Sequence, residues 1–305
     1  MSRVLLTGAT GFVGRGALEP LLAAGLEVHA VSTRSAPTWS PAGVTWHRAD
    51  LLAVGAAEDV VARIRPERLL HFAWDAEPGK FWTSTHNLRW VEATLALLRV
   101  FAEGGGQRAV LAGTCAEYAW TDETVCLEGV TRLEPATLYG AAKDGLRRIA
   151  EAHAAQAGYE LAWGRIFFVF GPHEDARRLG GSVAAALASG QPAPTSHGEQ
   201  VRDFLYAPEL AEAFVAVLES SVTGALNVAS GTPVPMRDLV VALGEASGRP
   251  ELVQLGARPA NPSEPTSLIA DVSRLRDEVG WTPTRTLAEA ATETMQWWTT
   301  EGTPA

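Results

Sequence analysis

Short, wholly apolar runs alternate with longer stretches of helical period along the first half of the chain. Val4-Leu5-Leu6 leads through a glycine-rich turn into the apolar-periodic stretch Ala17 to Ala24. Val28-His29-Ala30-Val31, Val44-Thr45-Trp46, Leu69-Leu70-His71-Phe72-Ala73 and Ala109-Val110-Leu111-Ala112 repeat the apolar run. Runs this continuous predict parallel strands buried on both faces. Asn87 to Ala102 carries apolar residues at Trp90, Val91, Leu95, Leu98, Val100 and Phe101 and stops at Gly104-Gly105-Gly106, which predicts a long helix with a glycine end. Strands alternating with helices predict an α/β fold, a doubly wound parallel sheet with its site at the strand carboxyl ends. Leu161 to Phe170 predicts another strand. Residues 1–170 are expected to form the sheet domain, with a later strand near 203–230 returning to it, and 171–305 a smaller lobe.

Composition narrows this little. With 305 residues, 47% hydrophobic and 20% charged, the chain is long enough for one large core and a lesser one. A net charge of −10 without a basic stripe argues against nucleic acid or an anionic membrane as partner. No apolar run reaches the roughly 18 residues of a membrane span, and Met1-Ser2-Arg3 enters a strand directly, so a cytoplasmic protein is expected. Cys115 and Cys126 are then expected as thiols, and no metal site is expected.

Candidate chemistry begins at Thr7-Gly8-Ala9-Thr10-Gly11-Phe12-Val13-Gly14, between the first strand and the first helix. Gly8 suits a positive φ, Gly11 lets backbone approach a pyrophosphate, and Gly14 lets helix and strand pack closely. The helix start offers its N–H groups to the anion, which makes Gly8, Thr10, Gly11, Phe12, Val13 and Gly14 candidate dinucleotide contacts. The second strand ends at Ser32-Thr33-Arg34-Ser35, where a carboxylate would receive a free ribose 2′-hydroxyl. Three hydroxyls and a guanidinium suit a 2′-phosphate instead, favouring NADP(H) over NAD(H); the alternative is that Arg34 is a solvated loop charge. Farther on, Tyr139 and Lys143 stand at i and i+4, one helical turn apart on one face, where an ammonium would favour the phenolate.

The TGxxGxxG spacing resembles the short-chain dehydrogenase/reductase superfamily, and TGxxGxxG, a Thr at the fifth strand's end and YxxxK together resemble its extended members, the NDP-sugar epimerase/dehydratase family. That resemblance implies a Rossmann-type fold, with Thr114, Tyr139 and Lys143 as a catalytic triad and Lys143 also on the nicotinamide ribose. It implies Asp50-Leu51 at the adenine, with Asp50 also a fit helix cap, and Phe72, Ala73 and Trp74 around the cofactor, while His71 reads as a structural histidine. Arg165 to Pro172 is similar to the family's R-[YF]-F-N-V-Y-G-P with Phe168 in place of its substrate-contacting Asn. Gly198 to Tyr206 is similar to GxxxRDFxYV, which implies Arg202 at a substrate diphosphate and Arg258 as a second such arginine; the alternatives are an ion pair for Arg202 and a solvated loop for Arg258. Trp74, Thr114, Cys115 and Ala116 complete the candidate substrate contacts. A segment between Gly171 and Gly198 could form a mobile cover. Many relatives form a homodimer through a four-helix interface that includes the Tyr139 helix.

Departures from the family sharpen the expectation. Dehydratases carry Asp-Glu directly after the Thr, whereas this chain has Cys115 and Ala116, and Glu117, one place along, reads as structural. An NADPH-dependent ketoreductase acting on the 4-keto group of an NDP-4-keto-6-deoxy sugar is therefore expected. The alternatives are an NDP-sugar 4-epimerase, a ketoreductase acting on an aromatic natural-product ketone, and a non-catalytic NADP-sensing regulator.

Overall fold

The computed structural model describes residues 1–120, 125–261 and 264–302. In chain order its regular elements begin with β1 (Arg3–Thr7), α1 (Leu18–Ala23), β2 (Glu27–Ser32), β3 (Val44–Arg48), α2 (Ala56–Ile64), β4 (Arg68–His71), α3 (His86–Glu103) and β5 (Arg108–Thr114). They continue with β6 (Val125–Cys126), α4 (Leu138–Ala157), β7 (Glu160–Ile166), β8 (Phe168–Phe170), α5 (Leu179–Ala188), β9 (Ala193–Pro194), β10 (Val201–Tyr206) and α6 (Ala207–Glu219). The last are β11 (Gly224–Val228), β12 (Pro233–Pro235), α7 (Met236–Ala246), β13 (Val253–Gln254), β14 (Ser267–Ala270), α8 (Ser273–Asp277) and α9 (Leu287–Thr300).

Seven parallel strands form the main sheet in the order β11-β7-β5-β4-β1-β2-β3. Because neighbouring residues of a strand face opposite ways, each apolar run serves two cores at once. Val4, Leu6, Val28, Leu70 and Val110 face α1 and α6, whose Leu18, Leu21, Leu210 and Phe214 cover them. Leu5, Leu69, Ala109 and Leu111 face α2, α3 and α4 through Val60, Ile64, Leu97, Phe101 and Leu146. The fold is the Rossmann-type doubly wound α/β arrangement, and strand order reverses beside β1, where the ends of β1 and β4 open a crevice.

The strand expected from Leu161 to Phe170 is two strands. β7 stays in the main sheet, the chain turns at buried Phe167, and β8 pairs in parallel with β10 of a second sheet ordered β12-β10-β14-β6. An unbroken apolar run looks the same whether or not it changes sheets. Of the later segment, β11 pairs with β7 in the main sheet and β10 belongs to the second. The cover expected between Gly171 and Gly198 is also different: Val183, Ala184 and Leu187 of α5 pack into a core with Leu239, Leu243, Met295 and Trp298. Gly181 serves packing, since a Cβ there would stand 2.5 Å from the Asp175 carbonyl oxygen. Among the described residues no helix is long and apolar enough to cross a membrane.

Candidate active site

The glycine turn sits over the end of β4. Gly8 adopts φ +70°, and a Cβ there would meet the backbone of Phe72 and Ala73 at 2.7 Å; one on Gly14 would stand 2.3 Å from the Gly8 carbonyl oxygen. Both contacts are with backbone, which cannot yield as a side chain can. A Cβ on Gly11 meets nothing closer than the Gly8 carbonyl oxygen at 3.1 Å, so this residue borders open space. Thr10 and Gly11 are exposed, Phe12 and Val13 half-buried, and among the described residues the amides of Phe12 and Val13 have no hydrogen-bond partner. An open turn with spare amides at a helix start fits a pyrophosphate. His71 is buried between two hydroxyls, its Nδ1 2.7 Å from Thr7 Oγ1 and its Nε2 3.1 Å from Thr94 Oγ1. Burial first and Lys143 second bring its pKa down to about 3, so it is a neutral strut. Phe72 packs edge-on against Phe214, and the Ala73 amide donates to Thr7 Oγ1.

At the end of β2, Ser32 is buried and its Oγ accepts from the Arg34 amide at 3.0 Å, while Thr33, Arg34 and Ser35 are exposed. The Arg34 guanidinium has no side-chain partner among the described residues. Asp50 is exposed and its Oδ1 accepts from the Leu52 amide, a turn-capping bond, with Leu51 buried beside it.

Thr114 ends β5, and a short 3-10 turn over Cys115–Glu117 redirects the chain. Thr114 Oγ1 accepts from the Ala116 amide, and Glu117 Oε1 accepts from the Thr114 amide at 2.9 Å, the reciprocal box that T-x-x-E spacing signals. Glu117 has no exposed surface; Oε1 also accepts from Trp163 Nε1 at 2.8 Å and Oε2 from Arg165 Nε at 2.7 Å. Thr137 caps α4 by accepting from the Gly140 amide. A Cβ on Gly140 would stand 2.3 Å from the Ala116 carbonyl oxygen, so glycine there lets α4 lie against the turn. This close approach brings the Tyr139 phenol to the Thr114 side chain, which eases its ionisation.

Lys143 is buried, donates from Nζ to the Ala112 carbonyl oxygen at 2.8 Å, and holds Nζ 3.7 Å from the centre of the Trp74 ring. Desolvation lowers its pKa to about 7, opposed by Glu117. Trp74 itself stacks on Trp90 and donates from Nε1 to Asn87 Oδ1, whose Nδ2 ties down the carbonyls of Phe81 and Ser84. Trp74, Phe81 and Trp82 all set edges or faces against Tyr139. The easing of Tyr139 ionisation by a neighbouring ammonium is not what this arrangement gives: burial, the largest influence, pushes the phenol well above its ordinary value, while the amine is turned to Ala112 and Trp74. Sequence spacing put both groups on one face without showing what each would bond.

Cys115 and Ala116 are buried, and burial pushes the Cys115 thiol well above its ordinary value, leaving it inert at neutral pH. Phe168 is half-buried with the Arg202 guanidinium over its ring at 5.2 Å. Arg202 is only 2% exposed and donates to the carbonyls of Val201 and Pro265 and to Glu264 at 3.2 Å. Its acidic partner is thus Glu264, since Asp203 instead accepts from the amides of Ser230, Gly231 and Ala270. Arg258 is exposed and contributes its amide to the Thr195 carbonyl.

A dinucleotide-type turn, a hydroxyl at the end of the fifth strand and a Tyr/Lys pair on the next helix define the extended short-chain dehydrogenase/reductase class. The family model for the NAD dependent epimerase/dehydratase family matches residues 4–229, and the chain belongs to that family. It is 26% identical over 311 residues to a UDP-glucose 4-epimerase of Corynebacterium glutamicum, covering 93% of this chain and 92% of that one. Its fold matches that of the UDP-glucose 4-epimerase of Thermotoga maritima, solved with UDP-glucose, with a TM-score of 0.85 at 21% identity over 97% and 98% of the chains. A Thermus thermophilus UDP-glucose 4-epimerase solved with NAD matches with a TM-score of 0.82 at 25% identity over 98% and 99%.

Proposed function

We propose that the protein is an NADP(H)-dependent ketoreductase that reduces the 4-keto group of a nucleotide-linked 4-keto-6-deoxyhexose. Arg34 carries this reading. Its exposed guanidinium, among the hydroxyls of Ser32, Thr33 and Ser35 and with no side-chain partner among the described residues, stands where a ribose-binding carboxylate would otherwise be. Such a group suits a 2′-phosphate, and NADPH is a reductant consumed with each turnover.

In this reading Gly8, Thr10, Gly11, Phe12, Val13 and Gly14 hold the pyrophosphate, Ser32 to Ser35 with Asp50 and Leu51 the adenosine end, and Phe72, Ala73, Trp74, Tyr139 and Lys143 the nicotinamide end. When bound, the dinucleotide supplies the hydride. Tyr139 gives its phenolic proton to the substrate oxygen as that oxygen gains charge. Thr114 Oγ1 accepts from Ala116, and its own hydrogen, which serves the Tyr139 phenol in the resting site, turns to the same substrate oxygen. Lys143, with a pKa of about 7, holds or releases a proton near neutrality and can resupply the phenol. The wall of Trp74, Phe81 and Trp82 keeps water from the exchange. Neither Cys115 nor Ala116 serves as the acid/base pair that dehydration requires.

Incubation with NADPH and dTDP-, CDP- or GDP-linked 4-keto-6-deoxyhexoses tests the proposal; one NADPH is expected to be oxidised per sugar reduced. A second reading, an NDP-sugar 4-epimerase, is supported by the similarity to UDP-glucose 4-epimerases along nearly the whole chain. An epimerase regenerates its nicotinamide, so sugar interconversion without net NADPH oxidation would replace the first reading with the second.

A further inference from the structure

Behind the wall that carries Thr114, on the far side of Glu117, lies a cavity of about 590 Å³ whose lining includes Tyr118, Thr131, Arg132, Arg147, Arg148 and Arg165. Its floor is Arg165, 2% exposed. Nε of this guanidinium donates to Glu117 and Nη1 to the Tyr118 hydroxyl, but Nη2 has no hydrogen-bond partner among the described residues. Arg147 repeats the pattern: Nη1 and Nη2 are engaged by Glu151 and Asp144, while buried Nε has no hydrogen bond and stands 3.9 Å from Glu117 Oε2. A buried, unsatisfied guanidinium N–H such as Arg147 Nε is costly, and an oxyanion is the group that satisfies it best. At the rim, Arg148 and Arg132 are held by Asp144 and Glu134 in pairs whose cationic members are exposed, and such pairs exchange partners readily. Among the described residues, the one carboxylate lining the cavity, Glu151, is already committed to Arg147.

We propose that this cavity binds a phosphate-class oxyanion, with Arg165 Nη2 and the orphaned Arg147 Nε as its anchors and Arg148 at its mouth. The site is apart from the glycine turn and from the triad, yet Arg165 links it to Thr114 through Glu117. The guanidinium that would take the anion also holds Glu117, and Glu117 holds the amide of Thr114. Occupancy therefore bears on how firmly the catalytic wall is set, which makes the cavity a place where free phosphate or a phosphorylated metabolite could act on turnover.

The test is a calorimetric titration of the protein, saturated with NAD(P) so that the glycine turn is filled, with inorganic phosphate against chloride at matched ionic strength. Saturable binding of one phosphate per chain is expected. Arg148→Ala is expected to weaken it about tenfold, the equivalent of one charge-assisted hydrogen bond. Val130→Glu, which sets a carboxylate at an exposed position of the same lining, is expected to abolish it. Arg34→Ala should leave it unchanged. Phosphate indistinguishable from chloride, or either cavity variant binding phosphate as the wild type does, overturns the proposal. The titration needs no turnover, so its failure is separate from failure of the ketoreductase reading.

Discussion

Replacing Lys143 with methionine should make the protein inactive and more stable. The ammonium group has an ordinary pKa of 10.5 and one of about 7 in the folded chain, lowered by burial against the opposing charge of Glu117. Between those values the unfolded chain binds a proton that the native chain does not, so stability rises with pH by up to about 1.4 kcal/mol per pH unit. At pH 7 nearly the whole effect is present, and keeping this lysine buried makes folding less favourable by about 4 kcal/mol. Methionine is of similar length, carries no charge and suits the contact with the Trp74 ring, but it forfeits the bond to the Ala112 carbonyl, worth about 0.5–1.5 kcal/mol. The cation over Trp74 contributes about 1–2 kcal/mol that is also lost. The net expectation at pH 7 is a gain of about 2 kcal/mol, shrinking by about 1.4 kcal/mol per pH unit as pH rises and turning into a loss from about pH 8.5. Urea unfolding of nucleotide-stripped wild type and Lys143→Met at pH 6.5, 8 and 9.5 reads this directly, stripping being needed because bound nucleotide adds its own stability. A difference that stays constant across those pH values would refute the reasoning, since it would mean that the buried amine does not titrate differently in the two states.

Other changes probe the rest of the site. Tyr139→Phe should lower turnover about 10²–10⁴-fold, the usual worth of a positioned proton donor, while nucleotide affinity by fluorescence titration stays near wild type. Arg34→Ala should weaken NADPH about tenfold or more and NADH hardly at all; equal losses would retire the 2′-phosphate assignment. Glu117→Gln leaves Arg165 buried beside a neutral amide and is expected to destabilise by about 3–5 kcal/mol in denaturant unfolding, with a fall in kcat as Thr114 loses its anchor. Gly14→Ala sets a methyl 2.3 Å from a backbone oxygen that cannot move aside, and should lower nucleotide affinity together with stability, by about 1–3 kcal/mol or more.

What could be read from the chain depends on how far apart the interacting residues lie along it. Strands, the long helix and the glycine turn are local patterns: period, apolar run and a special φ at Gly8 are each contained in a few residues, and the structure places them as expected. So is the T-x-x-E box at 114–117, which ties Glu117 to its own turn. The break at Phe167 left no such mark, because leaving one sheet for another depends on β10, more than thirty residues later. The same holds for the partners that decide the chemistry. Trp74 meets Lys143 across 69 positions and Arg165 meets Glu117 across 48, so no spacing rule could have shown the amine turned onto an indole, or the buried carboxylate held between Thr114 and two arginines. The burial that such long-range packing produces, more than the motif itself, sets the protonation of the candidate catalytic groups. In this arrangement the Tyr/Lys pair alone does not give a ready phenolate: the phenol is held well above its ordinary value, the amine faces elsewhere, and the two must be brought into proton exchange by what binds between the glycine turn and α4. If that is so, the pH dependence of turnover should differ from that of nucleotide binding, with only the former following a group near pH 7.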